Sequence, residues 1–358
     1  MRALNTASFL IPKRNGFLLC RGTGKSIFFW LKRFAAISRF ANRFSNMDYS
    51  KIYSDFLKKK LNLKKSLRVV FDCSNGTTGI ILKELFRKSK FQNPKSKKTH
   101  QSINSKLINW RPDGRFPAHG PDPWKKRAMD QLSRAVLKEK ADLGVIFDAD
   151  GDRVFFVDDE GRPVSPDIIA ALISKNFPGS VILDLRSGYL ARELISADRK
   201  KIIDSRVGHY FIKQTMRKKK ISFGAESSGH YYFKDFFYCD SGIFAAIQFI
   251  NQVSVMRNKN LKLSEWVSEL PKYYRSGELN FEISNKSAAM KRVEEFYNKS
   301  VGKISHLDGI KIEGENWWCN VRPSNTENLL RLNLEAKNKK IFDQKLKELT
   351  RLLKIDSI

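Results

Sequence analysis

Cysteine, acidic charge and long apolar runs are all in short supply in this 358-residue chain, and each shortage removes a class of protein. The four cysteines, Cys20, Cys73, Cys239 and Cys319, lie far apart with no CxxC pair. That excludes a disulfide framework and a thiolate zinc site, and it points to a reducing, cytoplasmic compartment. No stretch approaches the eighteen apolar residues of a membrane span. Asp and Glu total 37 against 67 Lys and Arg, a net charge of +30, and residues 1–47 hold no acid at all. So basic a chain attracts polyanions. Yet it shows no RNA-binding signature or helix-turn-helix pattern, and its lysines scatter in runs such as 58–65 and 217–220 that suit solvated helix faces. Neither a specific nucleic-acid partner nor a membrane is expected. With 41% hydrophobic residues there is ample material for two or three domain cores.

Against this background the segment FDADGDR (147–153) stands out. Asp148, Asp150 and Asp152 alternate after a short apolar run, ADLGVIF (141–147), that reads as a buried strand. The acids therefore fall on the loop at a strand's carboxyl end, where open α/β sheets carry their chemistry. Three neighbouring carboxylates repel one another unless a cation relieves them, and hard oxygen ligands favour Mg²⁺ or Ca²⁺ over zinc. Arg153 adds a fixed positive charge suited to a phosphate partner of the metal. An acidic surface turn is the plainer alternative. The spaced glutamate of an EF-hand is absent.

Two further loops read GAESSGH (224–230) and RPSNTEN (322–328). Taken in this order with FDADGDR, they resemble the α-D-phosphohexomutases, in particular the phosphomannomutase/phosphoglucomutase branch. VVFDCSNGTTG (69–79), PDGRFPAHGPDP (112–123), SRVGHYFIKQTM (205–216) and residues 308–336 extend the likeness over about residues 66–340. The resemblance implies transfer of a phosphoryl group between C1 and C6 of a hexose phosphate, through a phosphoserine and a hexose 1,6-bisphosphate. It implies Mg²⁺ held by Asp148, Asp150 and Asp152, a metal suited to the negative charge of such transition states. Arg322, Ser324, Asn325 and Thr326 would hold the phosphate that is not reacting. Glu226 and Ser228 would grip adjacent sugar hydroxyls, with His230 and Lys213 as further substrate contacts. His209 would transfer a proton or orient phosphate, and Arg153 would act beside the metal. Arg331 reads instead as support for a sheet edge. An anionic sugar phosphate would also give part of the basic charge a use.

At the N-terminus, TASFLIPKRNGF (6–17) resembles an altered phosphoserine loop, with Ser8 as the nucleophile. Phe9, Leu10 and Ile11 replace a His-Asn pair, and Leu18 stands near the place of a lysine. A targeting peptide is the other reading of this basic segment. The expected fold class is α/β: consecutive α/β domains with mostly parallel sheets around a cleft, plus a smaller C-terminal α+β domain. Residues 1–60 read as the remnant of a first α/β domain, 61–163 as a second bearing the metal loop, 164–270 as a third bearing the sugar loop, and 271–358 as the phosphate-binding domain. Helices are expected over 78–89 and 124–140, and a loose polar loop over 90–106. The two central units show no sequence repeat. A hexose mutase acting on mannose or glucose phosphates, as a monomer or small homo-oligomer, is the leading reading. A catalytically impaired relative that binds Mg²⁺ and sugar phosphate, and a basic polyanion-binding protein, are the alternatives.

Overall fold

The computed structural model describes residues 7–13, 16–22, 48–86, 101–299, 302–324 and 327–354, with side chains from Asp48 onward. The chain divides into two compact units, Met1–Ile52 and Tyr53–Ile358. In the first, Ala7–Lys13 (β1) pairs antiparallel with Gly16–Gly22 (β2). Much of the stretch read as a phosphoserine loop is thus strand, as the apolar run Phe9–Ile11 favours. A helix, α1 (Tyr49–Lys60), leads into the second unit.

The second unit contains three five-stranded sheets, and two of them share one topology. The first runs β4-β3-β5-β6-β7, from β3 (Leu67–Asp72), β4 (Ile103–Ile108), β5 (Leu143–Phe147), β6 (Val154–Val157) and β7 (Pro163–Val164). The second runs β9-β8-β10-β11-β12, from β8 (Val181–Asp184), β9 (Ile202–Ser205), β10 (Phe223–Ala225), β11 (Tyr231–Phe233) and β12 (Cys239–Asp240). In order of appearance both are 2-1-3-4-5. The first three strands are parallel and the last two antiparallel. β5 and β8 are buried along their whole length, as expected of inner strands covered on both faces.

Three local expectations change. β4 lies partly inside the supposed polar loop: INSKLI is an edge strand, largely half-exposed, so its polar residues face water and hide the signal. The helix expected from Trp124 starts only at Asp130 (α3, Asp130–Glu139). Asp122 accepts from the Trp124 amide and Arg127 is left-handed at φ 68°, so the chain turns there instead. The helix expected over 78–89 is α2, Thr78–Leu85.

Helix Gly242–Asn258 fixes the two sheets together. It is buried almost all round, which its apolar residues on every face require. Phe249 packs on Phe156 of the first sheet at 4.3 Å between ring centroids, and Phe244 on Phe233 of the second at 4.4 Å. Each such ring contributes roughly 1.5–3 kcal/mol by burial.

The third sheet, β13-β17-β16-β15-β14, is wholly antiparallel and has its own core. Its strands are β13 (Tyr274–Glu282), β14 (Lys303–Ser305), β15 (Ile310–Glu313), β16 (Trp317–Pro323) and β17 (Leu329–Ala336). Helices Lys286–Tyr297 and Lys339–Lys354 cover it, the second through Leu349, Leu352 and Leu353. Its junction with the second sheet is a buried ionic cluster. Arg275 meets Asp167 at 2.9 Å and Glu335 at 3.6 Å. Glu335 also accepts from Trp318 Nε1 and from the Tyr189 amide, at the start of helix Tyr189–Ala197. A carboxylate there meets free amides and the positive end of the helix dipole. A Cβ at Gly188 would lie 2.4 Å from Glu335 Oε1 and 2.7 Å from Asp167 Oδ2, so a larger residue there must displace these carboxylates.

Candidate active site

In a 2-1-3 strand order the chain leaves the first strand in one direction and returns on its other side, opening a crevice at the strands' carboxyl ends. Each central sheet has such a crevice, and in each the loop from the third strand to the fourth lies beside it. In the first sheet that loop is residues 148–153, and in the second 226–230. Both begin with a buried acid, Asp148 or Glu226, and both have a left-handed glycine three residues on, Gly151 at φ 79° and Gly229 at φ 90°. The loops touch: Arg153 and His230 form a β-bridge, and Val154 N donates to the Gly229 carbonyl.

Backbone contacts hold the acidic loop closely. Asp148 Oδ1 accepts from the amides of Gly151 and Arg153, and Oδ2 from Arg153 Nε at 2.6 Å. Gly242, at the start of the long helix, donates to the Gly151 carbonyl, and Thr77 N donates to the Ala149 carbonyl. Carboxylate oxygens of Asp148, Asp150 and Asp152 lie within 4.8 Å of one another. Burial pushes Asp148 up to about 6, against the pull of Arg153 and with the charge of Asp152 adding to the rise. His230 holds Asp152 down at about 2. Three hard oxygen donors this close, one of them strained toward its neutral form, fit a small divalent cation. Asp152, His230 and Asp240 form a second group of potential ligands sharing Asp152.

In the second loop Glu226 is the hub. Its carboxylate accepts from Gly208 N and Ser228 Oγ, both at 2.8 Å, and lies 3.3 Å from His230 Nδ1. Burial alone would raise Glu226, but His230 and Arg186 outweigh it and hold the group at about 2. Burial likewise opposes protonation of His230, yet Asp152 at 3.5 Å and Glu226 push it up to about 9. His230 thus carries the link between the acidic loop and the hydroxyl-bearing loop. His209 is exposed at the first turn of helix His209–Lys219, 4.0 Å from Asp240. Lys213, on the same helix, is engaged by Asp240 at 2.8 Å.

A cavity of about 510 Å³ opens between these loops and the C-terminal sheet, with Arg153, Ser228, Arg186, Glu278 and Arg331 among its walls. Arg322 is buried behind it and reaches Glu278 at 2.9 Å. Ser324 caps the following turn, its Oγ accepting from Glu327 N. Asn325 and Thr326 lie outside the described residues. So does Thr6, and Ser8 belongs to β1, whose side chains are not described. Arg331 is not at a sheet edge: β17 is an inner strand, and Arg331 faces the cavity.

Sequence reasoning missed Arg186, Glu278, Asp122 and Trp124. Arg186 follows β8 by two residues, the position of Ser74 after β3, and pairs with Asp184 at 2.6 Å. Asp122 receives Arg153 Nη1 at 3.3 Å and so ties the PDP turn to the acidic loop. Trp124 is exposed on the cavity wall and packs on Phe155. Glu278 had no signal in a lone acid between Gly277 and Leu279.

Residues 51–161, 165–274 and 278–352 match, in turn, the family models described as phosphoglucomutase/phosphomannomutase alpha/beta/alpha domains II and III and the C-terminal domain. A phosphomannomutase of Methanocaldococcus jannaschii is 35% identical over 98% of this chain and 79% of its own length. One from Vibrio cholerae is 32% identical over 81% of this chain, which spans 62% of that relative. A crystal structure of a phosphoglucomutase/phosphomannomutase family protein from Burkholderia thailandensis superposes with a TM-score of 0.74 at 21% identity, over 87% of this chain and 65% of that one. This last likeness speaks to the fold alone.

Proposed function

The chain belongs to the phosphoglucomutase/phosphomannomutase family, and from that premise we propose that it is a phosphohexomutase interconverting the 1- and 6-phosphates of mannose, glucose or both. One observation carries the reading. Arg186, Arg331, Ser227 and Ser228 line one cavity, and Arg153 brings to its wall the loop whose Asp148, Asp150 and Asp152 oxygens lie within 4.8 Å of one another. That is the set of groups needed to hold a dianion, a sugar and a cation together.

In this reading Arg322, with Ser324, Asn325 and Thr326 just after it in the sequence, holds the phosphate that is not reacting. Arg186 and Arg331 complete the anion site. Glu226 and Ser228 read the sugar hydroxyls. Glu226 is already ionised and braced by Gly208 N, so it accepts without reorganising. His230, protonated at neutral pH, keeps the two loops in register, while His209 and Lys213 approach the reacting phosphate from the helix opposite. Asp148, Asp150 and Asp152 would hold Mg²⁺, which when bound neutralises charge on the transferring phosphoryl group. Arg153 fixes the orientation of Asp148 and adds positive charge beside it. Ser8 is the proposed phosphoryl carrier and hexose 1,6-bisphosphate the intermediate. The domain limits proposed are 60/61, 163/164 and 270/271; the second falls in the gap between the first two matched segments and the third lies inside the segment that ends at residue 274. Buried free thiols at Cys73 and Cys319, each pushed up to about 12 chiefly by burial, support a cytoplasmic setting.

The test is ³¹P NMR of the protein with mannose 1-phosphate or glucose 1-phosphate, Mg²⁺ and a trace of the 1,6-bisphosphate. Appearance of the 6-phosphate, abolished in Ser8→Ala, is the expected result. Conversion that survives Ser8→Ala removes the nucleophile and keeps the reaction. Binding without conversion favours the impaired relative instead.

A further inference from the structure

We propose that Glu278 is a specificity-determining residue of the anion site: its carboxylate stands in for the substrate's phosphate among three arginines and has to be displaced by it. The proposal rests on the phosphate-holding role given above to Arg322. Glu278 Oε2 lies 2.9 Å from Arg322 Nη2 and 3.6 Å from Arg186 Nη1, and Oε1 lies 3.1 Å from Arg331 Nη1. The three guanidiniums come from three places in the chain: the loop after β8, strand β16 and strand β17. One carboxylate bridges them all.

Local backbone geometry aims it there. The ladder between β13 and β17 slips register between Arg275 and Glu278, across Ser276 and Gly277, with Gly277 left-handed at φ 65°. A slip in register exchanges the face on which the following side chains emerge. The irregularity is anchored on both sides, since Asn333 Nδ2 donates to the Gly277 carbonyl and Leu334 N to Ser276 Oγ.

The charges do not balance around this carboxylate. Asp184 shares Arg186 and Glu327 shares Arg331, but Arg322, which is almost wholly buried, meets no other carboxylate among the ion pairs of the described residues. The Nε atoms of Arg322 and Arg331 are both buried without a hydrogen-bond partner. Glu278 therefore satisfies part of the cluster and leaves two donors unused. A phosphate dianion brings a third acceptor oxygen and nearly twice the charge, so it can engage donors that a carboxylate leaves idle. Glu278 is partly exposed to the cavity and has room to withdraw into it. The arrangement keeps three like charges assembled before substrate arrives. It also sets a threshold that a dianionic phosphate passes and a monoanion, no better than Glu278 itself, does not.

The experiment is isothermal titration of the full chain with inorganic phosphate near pH 7.5, comparing the unmodified protein with Glu278→Gln and Glu278→Asp. Removing the competing charge in Glu278→Gln tightens phosphate binding at least tenfold, equivalent to about 1.4 kcal/mol. Glu278→Asp keeps the charge on a shorter arm that cannot bridge all three arginines, so it tightens binding by a smaller factor. It also reports should Glu278→Gln fail to fold. Weaker or unchanged binding in either folded variant overturns the proposal, because a residue that merely braces the arginines would cost affinity when removed. Absence of phosphate binding to all three proteins, each folded by circular dichroism, would overturn the anion site itself. A loss of the stand-in role alone leaves that site intact.

Discussion

His119 lies 3.1 Å from the fully buried carboxylate of Asp72 at the end of β3, and its own side chain is only 7% exposed. The hydrogen bond to Asp72 raises the imidazole above its ordinary value, although burial works against it. A group whose affinity for protons is raised by folding stabilises the fold fully below its unfolded value, near pH 6.5, and that contribution drains away as pH climbs through the higher folded value. Thermal melts from pH 6 to pH 9 are therefore expected to show a downward slope that His119→Gln lacks. Parallel slopes for the two proteins would refute the ion pair. At the same scale, Ser228→Ala removes one hydroxyl facing both Glu226 and the cavity. It is expected to lower kcat/KM for the hexose phosphate by roughly 10- to 100-fold, or about 1–3 kcal/mol, with the melting temperature almost unchanged.

Among the elements, the turn after β3 is where fold and chemistry meet most closely. Gly76 packs against the acidic loop so tightly that a Cβ would come within 2.2 Å of the Ala149 carbonyl. Gly76→Ala must displace Ala149 and the carboxylates on either side of it. Misplacement by about 1 Å can cost about 100-fold in rate. Steady-state kinetics set beside the fraction folded should show activity falling far more than stability. A loss merely in proportion to unfolding would mean the loop is not held from this side. The acidic loop was legible in sequence because its apolar strand and alternating acids carry both signals within one short segment. Glu226, Ser228 and His230 were singled out only through the family resemblance of GAESSGH, since no periodicity marks them. β4 was hidden because a half-exposed edge strand has no alternation to read. Arg186 and Glu278 were hidden for another reason: each acts through a partner 40 or more residues away, Glu226 for the first and Arg322 for the second, and no local pattern records that.

For the molecule as a whole, the attachment of the C-terminal sheet depends on few groups, and Arg275 is central among them. It neutralises Asp167 and Glu335, which are almost wholly buried; burial raises Glu335, with Arg275 pulling it down. Arg275→Met leaves two adjacent buried acids without their cation and is expected to cost about 3–5 kcal/mol. Urea unfolding should show the loss; a change below 1 kcal/mol would mean that other contacts carry the junction. The two central sheets have a different kind of consequence. Their strand order is the same, an acid directly follows the third strand, and a left-handed glycine comes three places later in each. Duplication of one ancestral half would leave this inheritance, with the two copies since diverged in trade. One loop carries three carboxylates, and the other carries Glu226 with two serines and a histidine. A single architectural plan is thus furnished twice, in two vocabularies that share no repeat in sequence.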